Sequence, residues 1–161
     1  MNFLSIDFGN YTGLSYFRDF EINEVCSFKI LSDQSTFPIV VVDKLFEIIR
    51  DKGWEIDFFV VEDYSYGKGF FNTNQSEIIG AFKYKVFNEH KKSIYFINST
   101  FIRKILIGNG KASKSEIKKY VKNVYRELKN QHEYDAVFTG LGFKETYNKL
   151  SEATLRRSII F

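Results

Sequence analysis

Three strand-like segments come first in the chain, and no helical pattern separates them. Residues 3–7 form a short apolar run that ends on a carboxylate, residues 11–18 alternate loosely, and residues 24–31 again suit a strand. Gly9 and Asn10, between the first two segments, are typical of a turn. Consecutive strands joined by short turns predict an antiparallel meander, so the fold must be one that begins with three such strands.

Helices and strands alternate over the rest of the chain. The predicted helices carry apolar residues three or four positions apart, and the predicted strands are continuous apolar runs. Helices are predicted over 39–50, 75–88, from 113 and from about 133, and strands over 56–61 and 94–97. Residues 100–107 fit either state. This order predicts a ribonuclease-H-like α/β fold, in which a mixed sheet of three antiparallel strands and then parallel strands has helices on both faces.

Length and composition limit the class of protein. The 161 residues predict a single domain over 1–161, and 44% hydrophobic with 27% charged residues excludes wholesale disorder. The lone Cys26 excludes an intramolecular disulfide framework and a multi-cysteine zinc site, and it is interpreted as a buried small hydrophobe. No apolar run approaches the length of about 20 residues that spans a bilayer, and the first residues lack a secretion signal. These observations predict no membrane association and a cytoplasmic location.

A net charge of +3 conceals an uneven distribution. Residues 1–62 hold 5 Lys and Arg against 11 acids, a net charge of −6. Residues 99–129 hold 9 Lys and Arg against 2 acids, a net charge of +7. A carboxylate site beside a basic surface would have this distribution, and so would a lysine-rich protein with a solvated helix face.

Carboxylates end two of the predicted strands. Asp7 ends the first strand and Glu62 the fourth, and parallel neighbouring strands would bring both to the sheet edge where open α/β sheets bind ligands. Asp135 lies on the last helix, with His132 three residues earlier on the same helical face. Acids brought together repel unless a cation lies between them, so the pattern predicts a divalent-ion site. Oxygen ligands favour Mg²⁺ or Mn²⁺, and an imidazole shifts the preference towards Mn²⁺.

These residues also have ordinary structural interpretations. A strand-end acid such as Asp7 is often an exposed edge residue, and a single histidine such as His132 is often a surface or capping residue. An unpaired acid beside the apolar residues 136–138 would be costly, which favours a functional role for Asp135. The acids interpreted as solvated surface charges are Asp63, Glu133 and Glu145.

Four short motifs follow one another from residue 6 to about residue 143. They are Ile6–Gly13 with its Asp-x-Gly-x-x-x-Gly pattern, Val60–Glu62, Gly108–Ile117 with Gly-x-Gly-x-Ala-x-Lys, and His132–Ala136 with His-x-x-Asp-Ala. In this order they resemble the RuvC-type Holliday-junction resolvases and, in the small size of the chain, the bacteriophage members of that group. The first motif alone is shared with sugar kinases and actin-like ATPases, but those enzymes need two such domains.

The resemblance implies a homodimeric endodeoxyribonuclease that resolves four-way or branched DNA junctions by paired nicks. Asp7, Glu62, His132 and Asp135 match the metal-binding catalytic positions, which would hold two Mg²⁺ or Mn²⁺ ions. Lys114 matches a catalytic basic position near the scissile phosphate. The residues expected to contact DNA are Arg103, Lys111, Lys114, Lys118, Phe70 and Phe71.

The resemblance also assigns roles to the loop after Glu62 and to the helix that follows it. An aromatic residue of this loop would wedge the junction open, with Phe70 and Phe71 preferred over Tyr64 and Tyr66; alternatively, these side chains cover a hydrophobic core. The helix over 75–88 is expected to carry the dimer contact. The expected seam is formed by Ile79, Phe82 and Val86.

Two other functions remain open at the level of sequence. A ribonuclease-H-type nuclease that cuts RNA–DNA hybrids would share the fold and the acids. A junction-binding module without cleavage would share the basic surface, and replacing Asp7 would leave its behaviour unchanged.

Overall fold

The strands form one mixed sheet in a computed structural model that describes residues 1–31, 36–63, 73–149 and 159–160. The strand order is β3-β2-β1-β4-β5-β6. The bounds are β1 Phe3–Asp7, β2 Tyr11–Arg18, β3 Glu21–Lys29, β4 Phe58–Asp63, β5 Ser93–Asn98 and β6 Ile159–Ile160. Strands β1 to β3 are antiparallel, β4 and β5 run parallel to β1, and β6 is antiparallel to β5. The mixed sheet predicted from the sequence is confirmed.

Helices cover both faces of this sheet. Their bounds are α1 Phe37–Asp51, α2 Thr73–Lys85, α3 Ser99–Ile107, α4 Lys114–Val124 and α5 Gln131–Lys149, and a π-helical turn, Val86–His90, extends α2. Helices α1 and α2 share one hydrophobic cluster with the sheet, and α3, α4 and α5 share the other. Because successive side chains of a strand face opposite sides, Leu4 and Ile6 enter the first cluster while Phe3 enters the second.

Helix α5 crosses close over the centre of the sheet because a small residue faces the strands there. A Cβ atom at Gly140 would lie 2.2 Å from the ring of Phe17 and 3.1 Å from the Cβ of Ser5. Ala136, one turn earlier, is fully buried in the same contact region. These small residues therefore allow the backbone of α5 to approach the sheet closely.

The seam predicted for the dimer is wrong in its main residues. Phe82 and Val86 are buried within the chain's own core, where the ring of Phe82 packs edge-on against Phe8 and Phe59. These side chains belong to the hydrophobic cluster that α2 shares with α1 and the sheet. Of the large apolar side chains near this helix, Tyr84 and Phe87 are exposed instead.

Two further expectations concern Cys26 and the membrane. The Cys26 side chain is half-buried against the first cluster, and burial raises its thiol pKa to about 11. It therefore behaves as a small hydrophobe rather than a nucleophile. Within the described ranges, no helix is both long enough and apolar enough to cross a bilayer.

Candidate active site

The predicted acids of β1 and β4 meet at the carboxyl edge of the sheet. The two strands are parallel and in register at Ile6 and Val61, so the next residues, Asp7 and Glu62, end side by side. A cavity of about 430 Å³ opens at this edge. The predicted site residues that line it are Asp7, Glu62, Arg103, Lys114, His132 and Asp135.

The first turn of α5 brings His132 against Asp7. The Nδ1 atom of His132 lies 2.8 Å from Oδ2 of Asp7, which is itself only 8% exposed. This approach requires a glycine on β2, because a Cβ at Gly13 would lie 2.1 Å from the backbone oxygen of His132. The second glycine of the first motif is therefore explained by packing of α5.

An aromatic residue that the sequence did not single out covers the outer side of His132. The ring of Tyr11 stacks on the imidazole, with centroids 5.6 Å apart and an interplanar angle of 5°. Lys29, its partner across the β2–β3 ladder, places Nζ 4.9 Å from the centroid of the same ring. Tyr11 thus restricts the imidazole from the side opposite the protein interior.

Asp135 is held one turn further along α5. Its Oδ1 atom accepts a hydrogen bond from Gln131 Nε2 at 2.8 Å, and Lys114 Nζ lies 3.5 Å from its Oδ2. Lys114 is exposed at the start of α4, whereas Asp135 is largely buried. The ammonium group therefore reaches a carboxylate inside the cavity from the solvent side.

The electrostatics of the cavity disfavour its negative charges. Burial, and then the charge of Asp7, raise the pKa of Glu62, while a hydrogen bond from Ser99 and the charge of Arg103 act in the opposite direction. Burial and the same Asp7 charge raise the pKa of Asp135. The hydrogen bond to Asp7 raises the pKa of His132. A cation placed among these groups would relieve the repulsion between the carboxylates.

Arg103 contributes a second positive group from α3. Its Nε atom is inaccessible to solvent and makes no hydrogen bond within the described part of the chain. Burying a hydrogen-bond donor without a partner costs free energy. An acceptor that enters the cavity and bonds to Arg103 Nε would therefore remove this cost.

The two remaining basic candidates do not line the cavity. Lys111 and Lys118 are exposed near the start of α4, and Lys118 Nζ lies 5.2 Å from the centroid of the Tyr134 ring. Ser113 and Glu116 form a capping box at the start of α4, so a carboxylate of the chain itself occupies this helix N-terminus. The loop candidates Tyr64, Tyr66, Phe70 and Phe71 lie outside the described residues.

The donor set suits a hard divalent cation, although it is not assembled as a closed cage. Three carboxylates and an imidazole facing one cavity are ligands that Mg²⁺ and Mn²⁺ accept. Across residues 1–31, 36–63 and 73–149, however, no three His, Cys, Asp or Glu side chains group closely enough to hold one ion. Ion binding therefore requires side chains to move, beginning with the His132–Asp7 hydrogen bond.

The interpretation of Glu133 as a surface charge is wrong. Its side chain is only 3% exposed and accepts hydrogen bonds from Ser27 Oγ at 2.7 Å and from the backbone N–H of Lys129 at 2.6 Å. The Glu133 carboxyl group is buried because its hydrogen bond from the Lys129 backbone helps to cap α5. The spacing Asn130-x-x-Glu133 is a capping pattern that could have indicated the helix start from the sequence, but not the burial of Glu133.

Comparison with known proteins identifies the fold. No family model and no curated protein matches the chain. A solved structure of RuvC from Thermus thermophilus matches with a TM-score of 0.73 and 17% identity, over 92% of this chain and 96% of that chain. A structure of T. thermophilus RuvC in complex with a Holliday junction substrate matches with a TM-score of 0.74 and 15% identity, again over 92% of this chain and 96% of that chain. The RuvC-type fold expected from the motifs is confirmed, while a bacteriophage origin stays a prediction.

Proposed function

We propose that this protein is a divalent-metal-dependent endodeoxyribonuclease that resolves four-way or other branched DNA junctions by paired nicks. The observation that carries the proposal is the convergence of Asp7, Glu62, His132 and Asp135 on one cavity, from three separate elements of a RuvC-type fold. The similarity to a RuvC structure that holds a Holliday junction substrate supports the choice of branched DNA.

The chemistry assigned to the site is phosphodiester hydrolysis. Asp7, at the centre of the sheet edge, would hold two divalent ions together with Glu62, His132 and Asp135. When bound, two such ions supply an activated water on one side of the phosphate and charge neutralisation at the leaving oxygen. Magnesium or manganese fits these donors.

Two basic side chains bind and orient the phosphate in this proposal. Arg103 Nε, which lacks a partner within the described residues, donates to a phosphate oxygen that enters the cavity. Lys114 would turn from Asp135 to the phosphate, because their 3.5 Å contact is partly solvent-exposed and therefore weak. The buried apolar side chains of Ile102 and Ile117 in the cavity wall keep bulk water from the reacting group.

Binding to the rest of the DNA is assigned to exposed lysines and to the loop after β4. Lys111 and Lys118 contact flanking phosphates, which makes affinity dependent on salt and largely independent of sequence. Phe70 and Phe71 are retained as candidates for wedging the junction open.

A homodimer completes the proposal, because two nicks in a nearly two-fold substrate require two active sites. Its contact surface is assigned to Tyr84, 72% exposed on α2, and Phe87, 58% exposed on the π-helical turn. These residues replace the seam predicted from the sequence.

A cleavage assay with matched variants tests the proposal. Wild-type protein with Mg²⁺ or Mn²⁺ is expected to nick a four-way junction and to leave linear duplex intact. Asp7→Asn should lower the rate by about 100-fold or more, since charge at the reacting centre is lost, while junction binding survives. The exposed neighbour of Glu62 supplies the control, because Asp63→Asn removes the same charge outside the cavity and should cut normally.

Three outcomes would contradict the proposal. Nicking by Asp7→Asn would show that the site is misassigned. Preferential cutting of an RNA–DNA hybrid would indicate a ribonuclease-H-type enzyme. Tight junction binding by the wild type without any metal-dependent cutting would indicate a binding module.

A further inference from the structure

Three polar side chains join the start of α5 to the sheet. Ser27 Oγ, on β3, donates to Glu133 Oε1 at 2.7 Å and accepts from Asn130 Nδ2 at 2.6 Å. The other oxygen of Glu133 accepts from the backbone N–H of Lys129 at 2.6 Å. These contacts close a partly buried network between residues about a hundred positions apart in sequence.

The same network fixes the first turn of the helix. Asn130 Oδ1 accepts from the backbone N–H groups of His132, at 3.0 Å, and Glu133, at 3.2 Å, so Asn130 caps α5. Caps of this kind satisfy helix donors that otherwise lack partners. The position of the His132 backbone is thus tied to Ser27 through two side chains.

The sheet presents two neighbouring positions to this turn. Ser27 lies directly opposite Gly13 in the β2–β3 ladder. Gly13 receives the His132 backbone, since its missing Cβ leaves the space that the His132 carbonyl group occupies. Ser27 bonds to the next residue, Glu133. Gly13 leaves room for the helix backbone, and Ser27 supplies a directional hydrogen bond. Together they determine where the first turn of α5 lies.

A buried carboxyl group is a costly choice for packing alone, because its desolvation must be offset by the hydrogen bonds it makes. The donors observed on Glu133 are neutral: a hydroxyl group, a backbone N–H and an amide. An apolar side chain could fill the same space between helix and sheet. Hydrogen bonds are directional, so unlike an apolar contact they fix the position of the adjacent His132 and Asp135.

We propose that Ser27, Asn130 and Glu133 form a positioning network that holds His132 and Asp135 in register with Asp7. This inference rests on the proposed function, in which Asp7, His132 and Asp135 bind metal. None of the network residues lines the cavity. Their contribution is to hold the backbone of the first turn of α5 beside Asp7, and misplacement of this turn by about 1 Å weakens both metal binding and turnover.

The test compares Ser27→Ala with Thr146→Ala, a matched control at the opposite end of the same helix. Thr146 is buried and donates a 2.7 Å bond to the carbonyl oxygen of Gly142, so Thr146→Ala also removes a buried hydrogen bond and a buried methyl group from α5. Both variants should lower the melting temperature. Only Ser27→Ala should weaken Mn²⁺ binding in DNA-free protein, by about 10-fold or more when measured by electron paramagnetic resonance. Ser27→Thr, which keeps the hydroxyl group, should restore it.

A second measurement needs neither metal nor activity. The chain has two histidines, and His90, stacked on Phe46, is far from this network in the fold and serves as an internal reference. At constant pH, Ser27→Ala should shift the ring resonance of His132 and leave that of His90 in place. Thr146→Ala should shift neither. Glu133→Gln, which keeps the side-chain shape, replaces Ser27→Ala in all measurements if the latter does not fold.

The outcomes separate this inference from the proposed function. If wild-type protein neither binds Mn²⁺ nor cuts a junction, the proposed function fails. If it does both, and Ser27→Ala matches Thr146→Ala in Mn²⁺ affinity, His132 resonance and kcat, the network is merely structural and the inference is overturned. Support consists of a lower kcat with unchanged junction affinity, rescued by Ser27→Thr.

Discussion

Glu62 couples the candidate site to the stability of the fold. Its pKa is raised, first by burial and then by Asp7, so the folded protein holds the proton more tightly than the unfolded chain does. Below the usual carboxyl pKa both states are protonated, and the group has no effect on stability. As the pH rises through the usual value and then through the raised one, the ionised carboxylate increasingly disfavours the folded state, and above both values the penalty is complete.

Removing this carboxylate is therefore expected to stabilise the metal-free protein. At pH 8, Glu62→Gln should raise the melting temperature by about 2–4 °C for a chain of this length. The gain should shrink as the pH falls and disappear below the usual carboxyl pKa. Calorimetry at several pH values in the presence of a chelator measures the effect.

Asp63→Asn is the matched control for this measurement, because Asp63 adjoins Glu62 in β4 but is exposed. Asp63→Asn should leave the melting temperature nearly unchanged at every pH measured. Adding Mg²⁺ should raise the melting temperature of the wild type and of the control, and less so that of Glu62→Gln, since a bound cation stabilises only the state that binds it. A Glu62→Gln protein that is less stable than wild type at pH 8 would contradict the repulsion described for the cavity.

At the scale of elements, the contact between β2 and α5 has little tolerance for added volume. A methyl group at Gly13 would meet the backbone of His132 rather than a flexible side chain, so the helix itself must move. Gly13→Ala is expected to cost about 1–3 kcal/mol in unfolding free energy. Urea denaturation measures this loss, and it should be accompanied by weaker Mn²⁺ binding.

Gly80 offers the opposite case within the same chain. It lies in α2 at an exposed position, and a Cβ there would have no atom within 4 Å. Gly80→Ala should therefore stabilise the protein by about 0.4–1 kcal/mol, because the unfolded chain loses conformational freedom. Equal losses at both glycines would show that the Gly13 effect is not one of packing against α5.

The spacing of apolar residues predicted most helices and strands. Local hydrogen bonds and turn geometry explain where the structure differs from these predictions. Strand β3 begins at Glu21, earlier than predicted, because Asp19 and Phe20 form a two-residue turn with φ of 50° and 65°. Such turns are usually marked by Asn-Gly, and Asp-Phe carries no such signal. The ambiguous segment 100–107 is helical because Asn98 accepts hydrogen bonds from two backbone N–H groups at its start.

The candidate site was predictable to the extent that it depends on strand ends. Asp7 and Glu62 terminate strands that are recognisable as apolar runs, so their meeting followed from the topology. The burial of Glu133 did not follow, because its partner Ser27 is 106 residues away and no local pattern connects them. The stacking of Tyr11 on His132 likewise depends on how α5 lies across the sheet.

At the scale of the whole molecule, charge is divided between the two faces of the sheet. Helix α4, with four lysines, lies on the same face as α3 and α5, whereas α1 packs on the opposite face. Lys118→Ala combined with Lys122→Ala should weaken junction binding and reduce the slope of log affinity against log salt by about 1 for each phosphate that is no longer neutralised. Titration of a labelled junction at several salt concentrations measures the slope.

The control for this prediction removes the same charge from the other face. Lys44→Ala with Arg50→Ala on α1 should leave the slope unchanged, because these residues lie across the sheet from α4. If both double variants change the slope equally, DNA binding follows overall charge rather than the α4 surface.

The position of α5 has a consequence for the order in which the cavity comes into being. The strands that carry Asp7 and Glu62 precede α5 in the chain, and α5, which carries His132 and Asp135, packs across them. A nascent chain or a truncated fragment therefore holds only half of the ligand set. Packing of α5 therefore completes the second hydrophobic cluster and the cavity in the same step.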